Sequence, residues 1–166
     1  ESEYAAYPAH RPVADHSKVR AAIALLLGAK HPVIVCGQGG LISKASEVLL
    51  ELAELLQIPV GPKTPGKGVI PETHPLALRV IGARGGMEYS NGYVRNADTV
   101  FFIGTNTDSC STDAWTLYGD INTKTFIHLD IAEAHVGNNY PVKVGLVGDA
   151  RATLEYMVEI IKAEHA

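Results

Sequence analysis

The sequence has few cysteines, no clustered charge of one sign and no long apolar run, and each shortage excludes a class of protein. Only Cys36 and Cys110 occur in 166 residues. They form neither a metal-type pair nor a disulfide framework, so a reducing, cytoplasmic setting is expected. Lysine and arginine number 14 against 18 aspartates and glutamates, for a formal net charge of −4. Without a basic run, nucleic acid is not expected as a partner, because phosphate backbones are held by clustered Lys and Arg. No apolar stretch approaches the ~20 residues that cross a bilayer, and no signal-peptide pattern is present, so no membrane contact is expected. Internal repeats and low-complexity segments are also missing. The chain starts at Glu1 rather than Met, which is expected of a processed or excised piece.

What is there suits one globular α/β domain: hydrophobic residues make up 46% and charged residues 19%, which is enough to build a core without staples. Residues 1–14 carry Pro8 and Pro12 and read as a linker or arm, with the domain proper over 15–166. Asp15 is a helix N-cap, Val19, Ala22, Ile23, Leu26 and Leu27 recur at helical spacing, and Gly28 is the stop. Val33-Ile34-Val35-Cys36 is a buried parallel strand that runs into Gly37, Gly39 and Gly40. Ala45, Val48, Leu49, Leu52, Leu55 and Leu56 then form an apolar helical stripe. Ile58-Pro59-Val60 is a short strand, and Pro59 marks it as an edge or an early end. Residues 61–86 are rich in proline and glycine, and a loop of that length is functional or interfacial. Met87–Ala97 is a predicted helix, despite Gly92. Thr99–Ile103, Thr125–Leu129 and Val142–Val147 are strands, and a helix carrying Leu154, Met157, Val158 and Ile161 closes the chain.

Strands that alternate with helices and are apolar on both faces predict a parallel sheet covered on both sides. Several strands end in small or polar residues: Gly37, Gly104, Asp130 and Gly148-Asp149. In a parallel sheet these carboxyl ends share one edge, where open α/β sheets bind ligands. The four ends are therefore expected to face one crevice.

Individual motifs are weaker. A dinucleotide fingerprint from Gly37 and Gly39 needs a small third residue where Ile42 stands, and an acid some 20 residues on where Gly61, Pro62 and Lys63 follow the second strand. Gly61, Gly66 and Lys67 have P-loop spacing. However, Gly68 replaces the magnesium-binding hydroxyl, and Pro62 and Pro65 remove N–H donors, so Lys67 reads as a loop cation. His128, Asp130 and His135 make no metal signature, and His128 reads as a hydrogen-bonded structural residue. Ser109, Cys110 and Ser111 lack an activating base and a nucleophile elbow, and Cys110 reads as a small, partly buried residue. No catalytic residue and no metal ligand is assigned.

Three ordered regions carry a family resemblance. Lys30-His31-Pro32-Val33-Ile34-Val35-Cys36-Gly37-Gln38-Gly39 is similar to the opening strand and glycine turn of the central domain of thiamine-diphosphate-dependent enzymes, particularly the acetolactate synthase-like group. Gly66-Lys67-Gly68-Val69-Ile70-Pro71-Glu72-Thr73-His74-Pro75 resembles a loop of that domain. So does Ala97-Asp98-Thr99-Val100-Phe101-Phe102-Ile103-Gly104, followed by His128-Leu129-Asp130-Ile131 and Gly148-Asp149-Ala150. The resemblance implies a three-layer, Rossmann-like fold with a six-stranded parallel sheet. It implies a parent transferase or lyase that uses thiamine diphosphate and magnesium for decarboxylation or carboligation of a 2-oxo acid. The parent's two other domains would hold those cofactors and supply a catalytic glutamate and a Gly-Asp-Gly…Asn motif, and the parent would be a homo-oligomer. The isolated chain is expected to be inactive. The resemblance further implies a nucleotide, FAD or ADP, on this domain, held by Gly37, Gly39, Gly40, Thr64, Gly82, Arg84, Gly104, Thr105, Asn106, Asp130, Ile131, Asp149 and Ala150. FAD-binding members carry Gly-Ala-Arg where this chain has Gly104-Thr105-Asn106. That change removes a charge-assisted contact, for which Arg84 is the candidate replacement. The alternative is a stand-alone nucleotide-binding or structural module without catalysis.

Overall fold

The computed structural model describes residues 10–165, so most of the expected arm over 1–14 lies outside the described residues. Among the described residues, five α-helices and five strands follow in the order α1 (His16–Leu27), β1 (Pro32–Cys36), α2 (Gln38–Ile42), α3 (Ser46–Leu56), β2 (Val60–Pro62), α4 (Glu88–Asn96), β3 (Thr99–Ile103), β4 (Thr125–Asp130), β5 (Val142–Val147) and α5 (Ala150–His165), so that helices alternate with strands only as far as β3. The strands form one parallel sheet in the order β2-β1-β3-β4-β5. Strand order therefore reverses between β1 and β3, the position at which crevices open in such sheets.

Period-2 alternation along buried strands divides the core in two. Ile34, Cys36, Phe101, Ile103, Ile127, Leu129, Val144 and Leu146 face α1, α3 and α5. Val33, Val35, Val100, Phe102 and Phe126 face the opposite way, under α4 and the segment that carries Leu117 and Tyr118. On that second side, Phe102 stacks with Phe126 at 5.7 Å and meets Tyr118 edge-on at 5.3 Å. Aromatic packing there replaces a second long helix. Thr105–Lys124 covers this face as turns, with Asp113, Ala114 and Trp115 all at positive φ, a handedness that no α-helix of L-residues sustains.

Several expectations hold. Asp15 caps α1 by accepting from the Ser17 and Lys18 amides, and Gly28 ends it. Others are corrected. The sheet has five strands rather than six: a sixth strand is reduced to the single bridge Val60–Ala77. The Val60 amide donates to Leu76 O and the Leu78 amide to Val60 O. The regular ladder is interrupted there because Pro62 has no N–H and Arg79 turns to φ 58°, out of the extended region, and one further bond, from the Ile81 amide to Pro62 O at 3.0 Å, follows. The second strand is Val60–Pro62, not Ile58–Val60. The apolar stripe from Ala45 to Leu56 holds as α3 with Ala45 at its N-cap, and a separate short helix, α2, precedes it, divided from it where Lys44 turns to φ 57°. Cys110 is exposed, not partly buried, because the turn that carries it lies on the outer surface.

Residues 11–14 lie against the start of α5. The Asp149 amide donates to Pro12 O at 2.8 Å, and the Ala14 amide donates to Thr153 Oγ1 at 3.1 Å.

Phe102 joins both central strands to the aromatic cluster. Phe102→Ala is expected to destabilise the chain by about 3–5 kcal/mol, read as a lower urea midpoint at an unchanged slope.

Candidate functional site

The turns after β1 and β3 touch through their backbones. The Gly37 amide donates to Ile103 O at 2.9 Å, and the Gly39 amide donates to Gly104 O at 3.0 Å. A Cβ on Gly39 would lie 2.6 Å from Gly104 Cα, and Gly104 has φ +56°. These glycines are thus required by the contact between the two turns. The contact occupies the Gly39 N–H and removes that donor from any ligand. Gly40 faces the core, where a side chain would strike the Cys36 thiol, which burial pushes up to about 12.

A groove opens above this contact, formed of two adjoining cavities. The first, about 140 Å³, lies among Ile42, Ile131, Gly104, Asp130 and the Gly148–Ala150 turn. The second, about 330 Å³, shares Gly39, Ile42, Gly104 and Asp130 with it and continues to Lys63, Thr105, Asn106 and Asp108, with His135 at the rim. All four expected strand ends border the groove, because a parallel sheet brings its carboxyl ends to one edge.

Lys63 follows β2 and is almost completely buried, with 2% of its side chain exposed against 43% for Asp108. Its Nζ donates to Thr105 Oγ1 at 2.5 Å and to Asp108 Oδ2 at 3.2 Å. Burial pushes the Lys63 ammonium below its ordinary value despite the pull of Asp108. Burial alone would raise the Asp108 carboxyl, but the Ser111 hydroxyl bond and the Lys63 charge prevail and hold it at about 2. The difference follows depth: the buried member loses more hydration than its partner returns.

His128 supports the groove from below. Its Nδ1 accepts from the Gly137 amide at 3.2 Å, which leaves Nε2–H to donate to Thr105 O at 2.8 Å. Burial lowers its pKa, in keeping with this neutral tautomer. Asp130 is buried and accepts from the Ala132 amide at 2.9 Å. Asp149 caps α5 through Ala152 N at 2.9 Å and accepts from Ser43 Oγ at 2.9 Å and Arg11 Nη1 at 3.0 Å.

Of the residues expected to hold a nucleotide, Gly37, Gly39, Gly104, Thr105, Asn106, Asp130, Ile131, Asp149 and Ala150 border the groove. Gly40, Thr64, Gly82 and Arg84 do not. The exposed Thr64 hydroxyl donates to Arg84 O at 3.0 Å, and Gly82, at φ +100°, is held by the Asn91 side chain. Arg84 is exposed and lines neither cavity. The cation that reaches the groove is Lys63, which sequence reasoning passed over inside a proline-rich loop. Its position directly after a strand, like Gly37 and Gly104, was the available signal. Ile42, read only as a misfit, forms a wall.

Gly148-Asp149-Ala150 does not fit a magnesium and thiamine diphosphate site, because both Asp149 oxygens are engaged by the chain itself. No glutamate among the described residues is buried. Among the described residues, no three His, Cys, Asp or Glu side chains converge as a metal site, and no helix is long and apolar enough to cross a membrane.

The sheet order and the groove at its reversal define an open, doubly wound α/β domain. Residues 19–157 match the family model described as the thiamine pyrophosphate enzyme central domain, and the chain belongs to that family. It is 40% identical over 149 residues to a probable acetolactate synthase large subunit of Methanococcus aeolicus, covering 87% of this chain and 23% of that protein. It is 31% identical over 157 residues to the glyoxylate carboligase of Escherichia coli O157:H7, covering 95% and 26%. It is 32% identical over 149 residues to acetolactate synthase isozyme 3 large subunit of Escherichia coli K12, covering 90% and 25%. The chain thus spans about a quarter of the length of these curated relatives.

The buried His128 gives a pH dependence. Its folded pKa lies below the ordinary 6.5, so the unfolded chain binds this proton more readily, and its contribution to stability is lost as pH falls below 6.5. The melting temperature should decline from pH 7 to pH 5, and His128→Gln should flatten that decline. Asp108 acts in a lower window: its stabilisation is present above 3.8 and is lost as pH falls towards about 2.

Proposed function

We propose that this domain serves in a larger thiamine-diphosphate-dependent enzyme that decarboxylates or ligates a 2-oxo acid, and that its own part is to scaffold the neighbouring domains and hold a nucleotide, FAD or ADP, in the groove. The relatives' names, acetolactate synthase and carboligase, support the parent activity. Thiamine diphosphate, bound in the parent with magnesium, supplies carbanion stabilisation after decarboxylation. The scaffold role is supported by Met87, Tyr89 and Trp115, large side chains that stay exposed. The remaining three quarters of a relative-sized chain are the natural cover for such surfaces.

One observation carries the nucleotide reading. Ile42 and Ile131, each 55% exposed, border a single cavity of about 140 Å³ above the buried Asp130. The arrangement offers aliphatic contact to a purine base and a carboxylate acceptor to ribose hydroxyls. A purely structural groove is the second reading. It draws support from the Gly39 N–H, already engaged by Gly104 O, and from the neutral Asn106.

Calorimetric titration of the chain with ADP and with FAD separates the two readings. Saturable heat that is weakened about tenfold or more by Ile131→Glu, roughly one lost apolar wall, supports the nucleotide reading. No heat with either ligand supports the structural one. The chain mixed with thiamine diphosphate, magnesium and pyruvate is expected to release no carbon dioxide above background, and robust turnover would overturn the assignment of chemistry to other domains.

A further inference from the structure

We propose that the His128 imidazole is a proton-operated latch between the turn after β3 and the connection from β4 to β5, and that its protonation releases residues 137–139 from the rim of the groove. The inference stands without any ligand in the groove.

His128 is 1% exposed and its ring joins two loops. Its Nδ1 accepts from the Gly137 amide at 3.2 Å, and its Nε2–H donates to Thr105 O at 2.8 Å. The neutral ring suits these partners because it has one acceptor and one donor. An imidazolium has two donors and no acceptor. A proton on Nδ1 would point at the Gly137 N–H, and a buried donor set against a donor loses the bond and leaves both groups without water. The Nε2–H bond survives protonation and strengthens, since its donor becomes charged. Thr105 is also anchored through its hydroxyl, which accepts from the Lys63 ammonium. The Gly137 side therefore gives way.

Gly137, at φ +74°, sits between fixed points. Upstream, Val136 packs so closely on β5 that a Cβ on Gly145 would lie 2.6 Å from its Cγ1, and His135 Nδ1 lies 3.4 Å from Asp130 Oδ1. Downstream, Tyr140 is buried. Residues 137–139 are otherwise held by carboxamides. Thr107 Oγ1 donates to Asn138 Oδ1 at 3.0 Å, Asn138 Nδ2 donates to Asn106 O at 3.1 Å, and Asn139 Nδ2 donates to Thr107 O at 3.2 Å. Both asparagines are exposed, so water replaces these bonds at little net cost. Asn106 lines the larger cavity, and the release loosens that wall of the groove.

Burial holds the latched ring below its ordinary 6.5, although the Thr105 bond and the Asp130 charge on the same strand pull the other way. His135 of the connection and Lys63 from the turn after β2 face the ring and oppose its charge. Phe102 of β3 covers it with an uncharged ring at 5.5 Å. Once released, the imidazole meets water and returns to its ordinary value, so release takes up a proton. Release is thus indifferent to pH above 6.5 and becomes easier as pH falls below it.

Amide hydrogen exchange at pH 7 and pH 5, followed by NMR with and without low urea, tests the latch. After correction for intrinsic exchange, protection of the Gly137 amide should fall by about 10- to 30-fold, the response of a group that titrates near 6.5 when released. A local release exposes little surface, so this exchange should not respond to urea below the unfolding transition, whereas that of the buried β3 amides should. His128→Gln, with a donor and an acceptor that do not titrate, should remove the fall, and His135→Gln should retain it. Equal protection of Gly137 at both pH values, exchange that follows urea with the slope of β3, a fall that persists in His128→Gln, or its loss in His135→Gln each overturns the latch. If His128→Gln does not fold, the wild-type urea slope and His135→Gln decide.

Discussion

The groove depends on the backbone contact between the turns after β1 and β3. Two amide donors cross between the chain segments, from Gly37 to Ile103 O and from Gly39 to Gly104 O, and Gly104 adopts a left-handed conformation. Side chains at these positions would push the turns apart, and the floor shared by both cavities would be lost. The glycines therefore act on the protein's own backbone first. What they provide to a ligand is a floor without side chains, at the point where strand order reverses.

Around that floor, charged groups are divided between holding the fold and facing the groove. Asp98 accepts from the Lys30 and His31 amides and ties the start of β1 to the start of β3. Asp149 ties α5, Ser43 and Arg11 together at the far end. Both carboxylates have structural partners, which explains why Gly148-Asp149-Ala150 has no metal-binding capacity of its own. Asp130, Asp108 and Lys63 face the cavities instead. The buried lysine is tolerable because two oxygen acceptors replace part of its hydration. His128 binds to the same loop from beneath, so the geometry of Thr105 is held from two sides.

The likeness to acetolactate synthases and to a carboligase concerns a domain that spans about a quarter of those chains. This chain offers an apolar cleft, one buried cation and carboxylates that already have partners. It offers no buried glutamate among the described residues and no open metal cradle. Such a domain can position and bind.

Much of this architecture was legible from local pattern. Apolar runs such as Thr99–Ile103 specify buried parallel strands, Asp15 and Gly28 delimit α1, and the small and acidic strand ends foretold one shared edge, because these features act over a few residues. Three matters were decided only by tertiary structure. Arg84 and Lys63 are both basic loop residues, and the sheet carried Lys63 into the groove and left Arg84 outside. Gly40 and Gly39 are neighbours in the first turn of α2, yet one faces the core and the other the cavity floor, because successive helix residues are rotated by about 100°. The sixth strand shrank to a single bridge because Arg79 turns away just where the ladder would have continued. Sequence alone specified the elements and the edge they share. Which side chains meet across that edge depended on strand order, which no local periodicity encodes.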